Sequence, residues 1–188
     1  YTKDDYPKQG YKIFCPKVKG DYTELFYGYD ATQFRNDEAK IPNSFITVGF
    51  LNNPNYFRKG IDLIVEMAKS YPDNKFTAVG GTIDDIPVIN VPSNVKLVDA
   101  VSYDELKALY AKHEFYLQLS ICEGFPSAIC EAMLCGCIPI GSDVAAIPEI
   151  IDECGFVLKH KNVEELRSLF AEAMASDKNL LSQKSRKS

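Results

Sequence analysis

A doubly wound, Rossmann-like α/β domain, with a parallel sheet of about six strands and helices on both faces, is the fold this 188-residue chain predicts. Three observations point there. Short apolar runs recur along most of the chain, stretches of helical period or turns separate them, and the runs are continuously apolar rather than alternating. Continuous apolarity marks strands buried on both faces, which is the habit of parallel sheets covered by helices. Sheets of this kind bind ligands at the carboxyl ends of their strands.

The elements follow in order. Residues 1–40 read as an irregular lead-in and connection, broken by Pro7, Gly10, Pro16 and Gly20, with Lys12–Cys15 and Leu25–Tyr27 as short strand candidates. The domain proper is expected over 41–178. Ser44–Phe50 is the first core strand, and Lys59–Ser70 is a helix with Ile61, Ile64, Val65 and Met67 on its apolar side. Lys75–Val79 ends at Gly80-Gly81 as the second strand, and Val95–Val98 is the third. Ser102 caps a helix through Ala111, with Glu105 completing a capping box. Phe115–Leu119, Ile138–Gly141 and Phe156–Leu158 are the remaining strands. A last helix runs from Val163 to Ser176 with Leu166, Leu169 and Phe170 at core spacing, and 179–188 reads as a polar tail.

Composition narrows the classes of function. Hydrophobic residues make up 46% and charged residues 25%, an ordinary soluble balance. The net charge of −5 supplies no basic excess for a nucleic acid backbone, although a local patch for one or two phosphates remains compatible with it. No apolar run approaches a membrane span. A first residue other than Met points to a piece of a longer protein. The six cysteines form no Cys-x-x-Cys pair, and only His113 and His160 could complete a zinc site, so no metal is expected. The cysteines read as reduced, mostly buried side chains of a cytosolic protein.

The most informative segment is Glu123-Gly124-Phe125-Pro126-Ser127-Ala128-Ile129-Cys130-Glu131, between the fourth strand and a short helix ended by Gly136. Pro126 suits a first helical position, where its missing N–H costs nothing. The N–H groups of that first turn suit an anion such as a phosphate. Carboxylates beside a phosphate site must face something other than the phosphate, and sugar hydroxyls are the natural candidates. On spacing alone the structural reading is the favoured one, a carboxylate as partner of the helix dipole and Glu131 as a solvated surface residue. Arg58 and Lys59 stand at the start of the predicted helix, where positive charge is unfavourable for the dipole, which suggests an external anion.

The chain resembles the C-terminal domain of the family 4 retaining glycosyltransferases, one half of the GT-B fold. The resemblance rests on Glu123 and Glu131, Ala132-Met133, Gly136, Pro139-Ile140, Ser142-Asp143 and Pro148-Glu149 in order, with Lys59-Gly60 upstream. Gly28-Tyr29-Asp30 is similar to the segment that leads from the N-terminal domain into the C-terminal one. The resemblance implies a nucleotide diphosphate sugar donor, transfer with retention and no divalent metal or other cofactor. It implies that Lys59 grips the diphosphate, Glu123 contacts the donor sugar, and Glu131 holds the ribose. The backbone of Gly124, Phe125, Pro126 and Ser127 would hold sugar and phosphate, with Gly49 beside them and the base near Val101. An arginine expected after Gly49 is replaced by Phe50, and Arg58 is its expected substitute. The candidate catalytic residues are therefore Lys59, Arg58 and Glu123. The implied partners are the donor and a missing N-terminal acceptor-binding domain, and the implied location is the cytoplasm, at the inner face of a membrane for the whole protein. Alone, this piece is expected to bind donor weakly and not to turn over. The rival readings are a non-catalytic nucleotide-sugar-binding domain, a GT-B nucleotide-sugar epimerase and a flavodoxin-like signalling domain, the last of which leaves Arg58, Lys59 and both acids unexplained.

Overall fold

The computed structural model describes residues 28–34, 38–87 and 90–187. The strand candidates Lys12–Cys15 and Leu25–Tyr27 lie outside them. Two compact units divide the chain, Tyr1–Asp30 and Ala31–Ser188. The second holds six strands, β1 (Ile41–Val48), β2 (Lys75–Val79), β3 (Val95–Val98), β4 (His113–Gln118), β5 (Ile138–Ser142) and β6 (Phe156–Leu158). All are parallel, in the order β3-β2-β1-β4-β5-β6, so the order reverses between β1 and β4. Parallel neighbours need crossovers, and α1 (Asn53–Arg58), α2 (Ile61–Ser70), α3 (Tyr103–Lys112), α4 (Ser127–Leu134) and α5 (Ile147–Ile151) lie within them. Two further helices, α6 (Val163–Ala175) and α7 (Lys178–Ser185), follow β6.

The two faces of the sheet differ in chemistry. On one, register aligns Phe45 with Phe76 and with Phe115. Their rings stack at 5.0 and 4.8 Å, and Phe170 of α6 closes over Phe45 at 4.6 Å. Such aromatic pairs add about 0.5–1.5 kcal/mol each beyond the area they bury. The α2 residues Ile64, Val65 and Met67 complete this core. On the other face, Tyr116 of β4 packs edge-on against Tyr110 of α3 at 5.9 Å. Both tyrosines are fully buried, so polar atoms enter the core beneath the end of β4.

Three sequence expectations change. The segment 179–188 was expected as a polar tail, but α7 occupies Lys178–Ser185. Its anchors are polar, which is why apolar periodicity missed it. Asp177 caps it, Ser182 Oγ donates to Gly136 O at 2.8 Å, and Ser185, 1% exposed, donates to Cys154 O. The folded unit also starts before residue 41. Phe34 is buried edge-on against Tyr103, and Lys40 Nζ donates to Tyr110 O and Cys135 O at the carboxyl ends of α3 and α4. Cations there are favoured by both helix dipoles. Finally, β1 begins at Ile41 rather than Ser44, with a register shift between Ile41 and Phe45 and Asn43 at φ 52. The Ser102 cap and its Glu105 box form as read.

His113 gives a pH signature. Its ring bonds Thr77 Oγ1 at 2.9 Å and Leu109 O at 2.7 Å, so Nδ1 donates and Nε2 accepts in the neutral form. Burial pushes the imidazole below its ordinary value. A lowered folded value means that the unfolded chain takes up a proton the native state refuses. The stability it contributes is complete above the ordinary imidazole range and is lost as the pH falls through the lowered folded value. A urea midpoint that drops between about pH 7.5 and pH 5.5, with a smaller drop for His113→Gln, is expected. An equal drop in both proteins would remove the assignment.

Candidate functional site

The site forms where the strand order reverses, at the carboxyl ends of β1 and β4. After β1 the chain runs through Gly49 and Phe50 into α1, which sequence reading missed. Its start signal was present: Asn52 is the N-cap, its side chain accepting from Asn55 N at 3.0 Å, and Pro54 lies in the first turn. This helix changes the explanation of the two cations. Arg58 ends α1 and Lys59 is its C-cap, where positive charge is favourable. No external anion is needed to explain their placement.

Gly60 then turns the chain into α2 with φ 73. The turn sends Lys59 back across Gly49, where a Cβ would lie 3.4 Å from Lys59 Cε. Lys59 Nζ reaches Glu123 Oε1 at 2.6 Å, and the two side chains are 18% and 9% exposed. The structure thus brings together the two residues singled out from loops 64 positions apart. Arg58 takes a different part. Its Nε donates to Asn55 Oδ1 at 2.8 Å and its Nη1 to Cys122 O at 3.3 Å, while Ile121 N donates to Arg58 O. It ties α1 to the loop that carries Glu123.

In the loop after β4, Gly124 is exposed and a Cβ on it would meet nothing within 4 Å. Phe125 and Ser127 are exposed as well, whereas Pro126 is buried. Pro126 was expected at the first helical position; it is instead the N-cap, with ψ 83, and α4 begins at Ser127. A non-helical ψ is natural for a residue outside the helix, and proline's missing N–H costs no helical bond there either. The Ser127 N–H donates to Phe125 O at 3.1 Å, so this amide is already used within the loop. Gly136 ends the helix at φ 77, as expected.

Glu131 lies one turn inside α4 and is half-buried. Burial raises its carboxyl above the usual range, and the nearby Tyr110 hydroxyl partly offsets this. That hydroxyl is the one fully buried side-chain polar atom, among the described residues, without a hydrogen bond of normal geometry. The cysteines of this region are inert by burial: the Cys135 thiol is pushed up to about 12, and Cys137 is also raised.

A cavity of about 400 Å³ opens over the ends of β1, β2 and β3. Gly49, Phe50, Gly80, Asp99 and Val101 are among the residues that line it. Lys59, Glu123 and Glu131 are not among them; Lys59 packs near Gly49, where a Cβ would lie 3.4 Å from its Cε. Phe50, where an arginine was expected, stands 70% exposed at the rim. Gln118 is the residue that sequence reading overlooked. A lone amide in the apolar run Phe115–Leu119 was the signal, since a buried amide must find partners.

Comparison with known proteins agrees with this architecture. The chain is 30% identical over 147 residues to a human phosphatidylinositol N-acetylglucosaminyltransferase subunit, covering 73% of this chain and 30% of that protein. It is 24% identical over 131 residues to the gpi3 subunit of the phosphatidylinositol N-acetylglucosaminyltransferase from Schizosaccharomyces pombe, covering 64% and 28%. The chain thus spans less than a third of the length of these two curated relatives. Among solved structures, a sucrose-phosphate synthase from Thermosynechococcus elongatus superposes with a TM-score of 0.75 at 18% identity, over 96% of this chain and 50% of that one. The C-terminal domain of a glycosyl transferase group 1 family protein from Francisella tularensis gives 0.67 at 20% identity, over 85% and 95%. The family model described as "Glycosyl transferases group 1" matches residues 30–187, nearly the whole of the folded unit, and this chain belongs to that family.

Proposed function

We propose that this chain is the donor-binding half of a retaining glycosyltransferase that uses a nucleoside diphosphate sugar. The observation that carries the reading is the Lys59–Glu123 pair at the point where the strand order reverses, with Lys59 packed near Gly49, which lines the cavity. In this reading the base enters the cavity near Val101, Lys59 holds the diphosphate, and Glu123 faces the donor sugar. Glu131 binds the ribose once it gains contacts from the donor. Stabilisation of the departing diphosphate by a fixed cation is the term this site supplies, and one such donor is typically worth about 2.7–4 kcal/mol in the transition state. The relatives' names suggest N-acetylglucosamine as the sugar and phosphatidylinositol as the acceptor. Acceptor binding falls to a companion domain, and the lipid acceptor places the reaction at a membrane surface. Among the described residues no helix is long and apolar enough to cross a membrane.

A thermal-shift panel of UDP, GDP and ADP with their sugars tests the reading. A ligand at about a hundred times its dissociation constant adds roughly 2.7 kcal/mol, a shift of several degrees. The shift is expected with UDP and its N-acetylglucosamine ester, and to be the same with EDTA as with magnesium. No shift with any nucleotide at millimolar concentration would overturn it. The exposed Phe50 favours a second reading, donor binding without transfer. A full-length protein that binds the donor but neither hydrolyses nor transfers it would establish that alternative.

A further inference from the structure

Gln118 is the last residue of β4 and is only 4% exposed. An amide at that depth must have its oxygen and both N–H groups partnered. Tyr116 Oη donates to Gln118 Oε1 at 2.9 Å. Gln118 Nε2 donates to Ser120 Oγ at 3.0 Å and to Glu123 Oε1 at 3.0 Å. Glu123 Oε1 therefore takes hydrogen bonds from Lys59 on one side and from Gln118 on the other. A carboxylate only accepts, so nitrogen must face Glu123 and oxygen must face Tyr116. Burial keeps the Tyr116 phenol protonated, which makes it a steady donor to that oxygen.

The two supports of Glu123 differ in kind. Lys59 comes from the end of a six-residue helix, through a flexible stem, and in the reading above it must also serve the diphosphate. Gln118 comes from a central strand and does not leave it. Its carbonyl, with that of Ser120, is further held by the hydroxyl of Ser142 on β5. When Lys59 turns to the donor, the strand-borne contact keeps the carboxylate from following it. Groups held by strands are placed more accurately than groups held by loops.

We propose that Gln118, with Tyr116 behind it, is a positioning residue that fixes the Glu123 carboxylate for the donor sugar. The proposal rests on the reading of Glu123 as a sugar-binding group. It separates the two halves of donor recognition, the sugar depending on Gln118 and the diphosphate not. A buried amide that merely satisfies the core would affect both halves alike.

The test is calorimetric binding of UDP and of UDP-N-acetylglucosamine to the wild type and to Gln118→Leu, Gln118→Glu and Tyr116→Phe. With Gln118→Leu, affinity for the sugar nucleotide is expected to fall about tenfold while that for UDP stays within about twofold. Tyr116→Phe, which keeps the amide but loses its anchor, should show the same split at about threefold and serves if the leucine variant does not fold. Gln118→Glu sets two carboxylates against each other near neutral pH. On acidification its protonated acid regains a donor to Glu123 and an acceptor for Tyr116, so its sugar nucleotide affinity should recover relative to the wild type. Equal losses for both ligands, no loss, or no recovery in acid would overturn the proposal. If UDP binds but Glu123→Gln leaves sugar nucleotide affinity unchanged, the reading of Glu123 falls and takes the proposal with it. If Glu123→Gln shows the split and Gln118→Leu does not, only the positioning role is lost.

Discussion

Replacing Lys59 with alanine is expected to weaken binding of a nucleoside diphosphate by about tenfold to a hundredfold, because a charge-assisted contact is typically worth about 1.5–3 kcal/mol. The same change should also destabilise the fold. Glu123 is only 9% exposed and would lose the cation 2.6 Å from its Oε1 while keeping the Gln118 hydrogen bond, and removing that counter-charge costs about 2 kcal/mol. The two effects separate in the double variant Lys59→Ala/Glu123→Gln. Its neutral amide no longer needs a cation, so the urea midpoint should return towards the wild type while diphosphate affinity stays low. Arg58→Ala is the comparison that assigns the second cation. Its guanidinium already bonds Asn55 Oδ1 and Cys122 O, so it acts chiefly as a strut between α1 and the Glu123 loop. A loss of less than about fivefold in diphosphate affinity is expected there. Undiminished affinity in Lys59→Ala would exclude Lys59 as the diphosphate group. A loss for Arg58→Ala matching that for Lys59→Ala would reinstate Arg58 as the replacement for the arginine missing at Phe50.

The strands were legible because their apolar character is continuous. The register that aligns Phe45 with Phe76 and Phe115 was not legible, because a continuously apolar run does not say which residues lie side by side. Elements held by polar groups were not legible in that way. The α1 helix has six residues and only Tyr56 buried, and α7 is anchored by serine hydroxyls on backbone carbonyls, so neither carries an apolar stripe. The site shows the same division. Lys59 and Glu123 were found by residue type and motif order, yet their pairing depends on a left-handed turn at Gly60 that no charge pattern announces. Gln118 escaped notice for the converse reason. A polar residue inside a strand is conspicuous only when its partners are known, and those partners lie on the strand's own pleat and the loop beyond it.

Gly60→Ala is expected to lower both stability and donor binding. Gly60 has φ 73, and a Cβ there would stand 2.3 Å from Leu119 O and 2.6 Å from Leu119 Cβ. The left-handed backbone alone costs a non-glycine residue about 1–2 kcal/mol. The greater cost is the clash, because the first atom met is a backbone carbonyl just past β4 and cannot rotate away. The sum is about 4 kcal/mol or more, in the range that marks a specific structural conflict. Relief requires α2 to retreat from the end of β4, and that movement draws Lys59 away from Glu123. Donor binding should therefore fall with stability, even though Gly60 itself touches no ligand in the proposed site. Gly124→Ala provides the contrast. Gly124 has no positive φ, and an added Cβ meets nothing within 4 Å, so stability should stay within about 0.5 kcal/mol of the wild type. If the donor sugar packs against this loop, the same methyl should weaken sugar nucleotide binding while leaving UDP binding intact. Urea midpoints and calorimetric affinities on the two variants decide the matter. A stable, donor-binding Gly60→Ala would show that the turn into α2 does not set the position of Lys59.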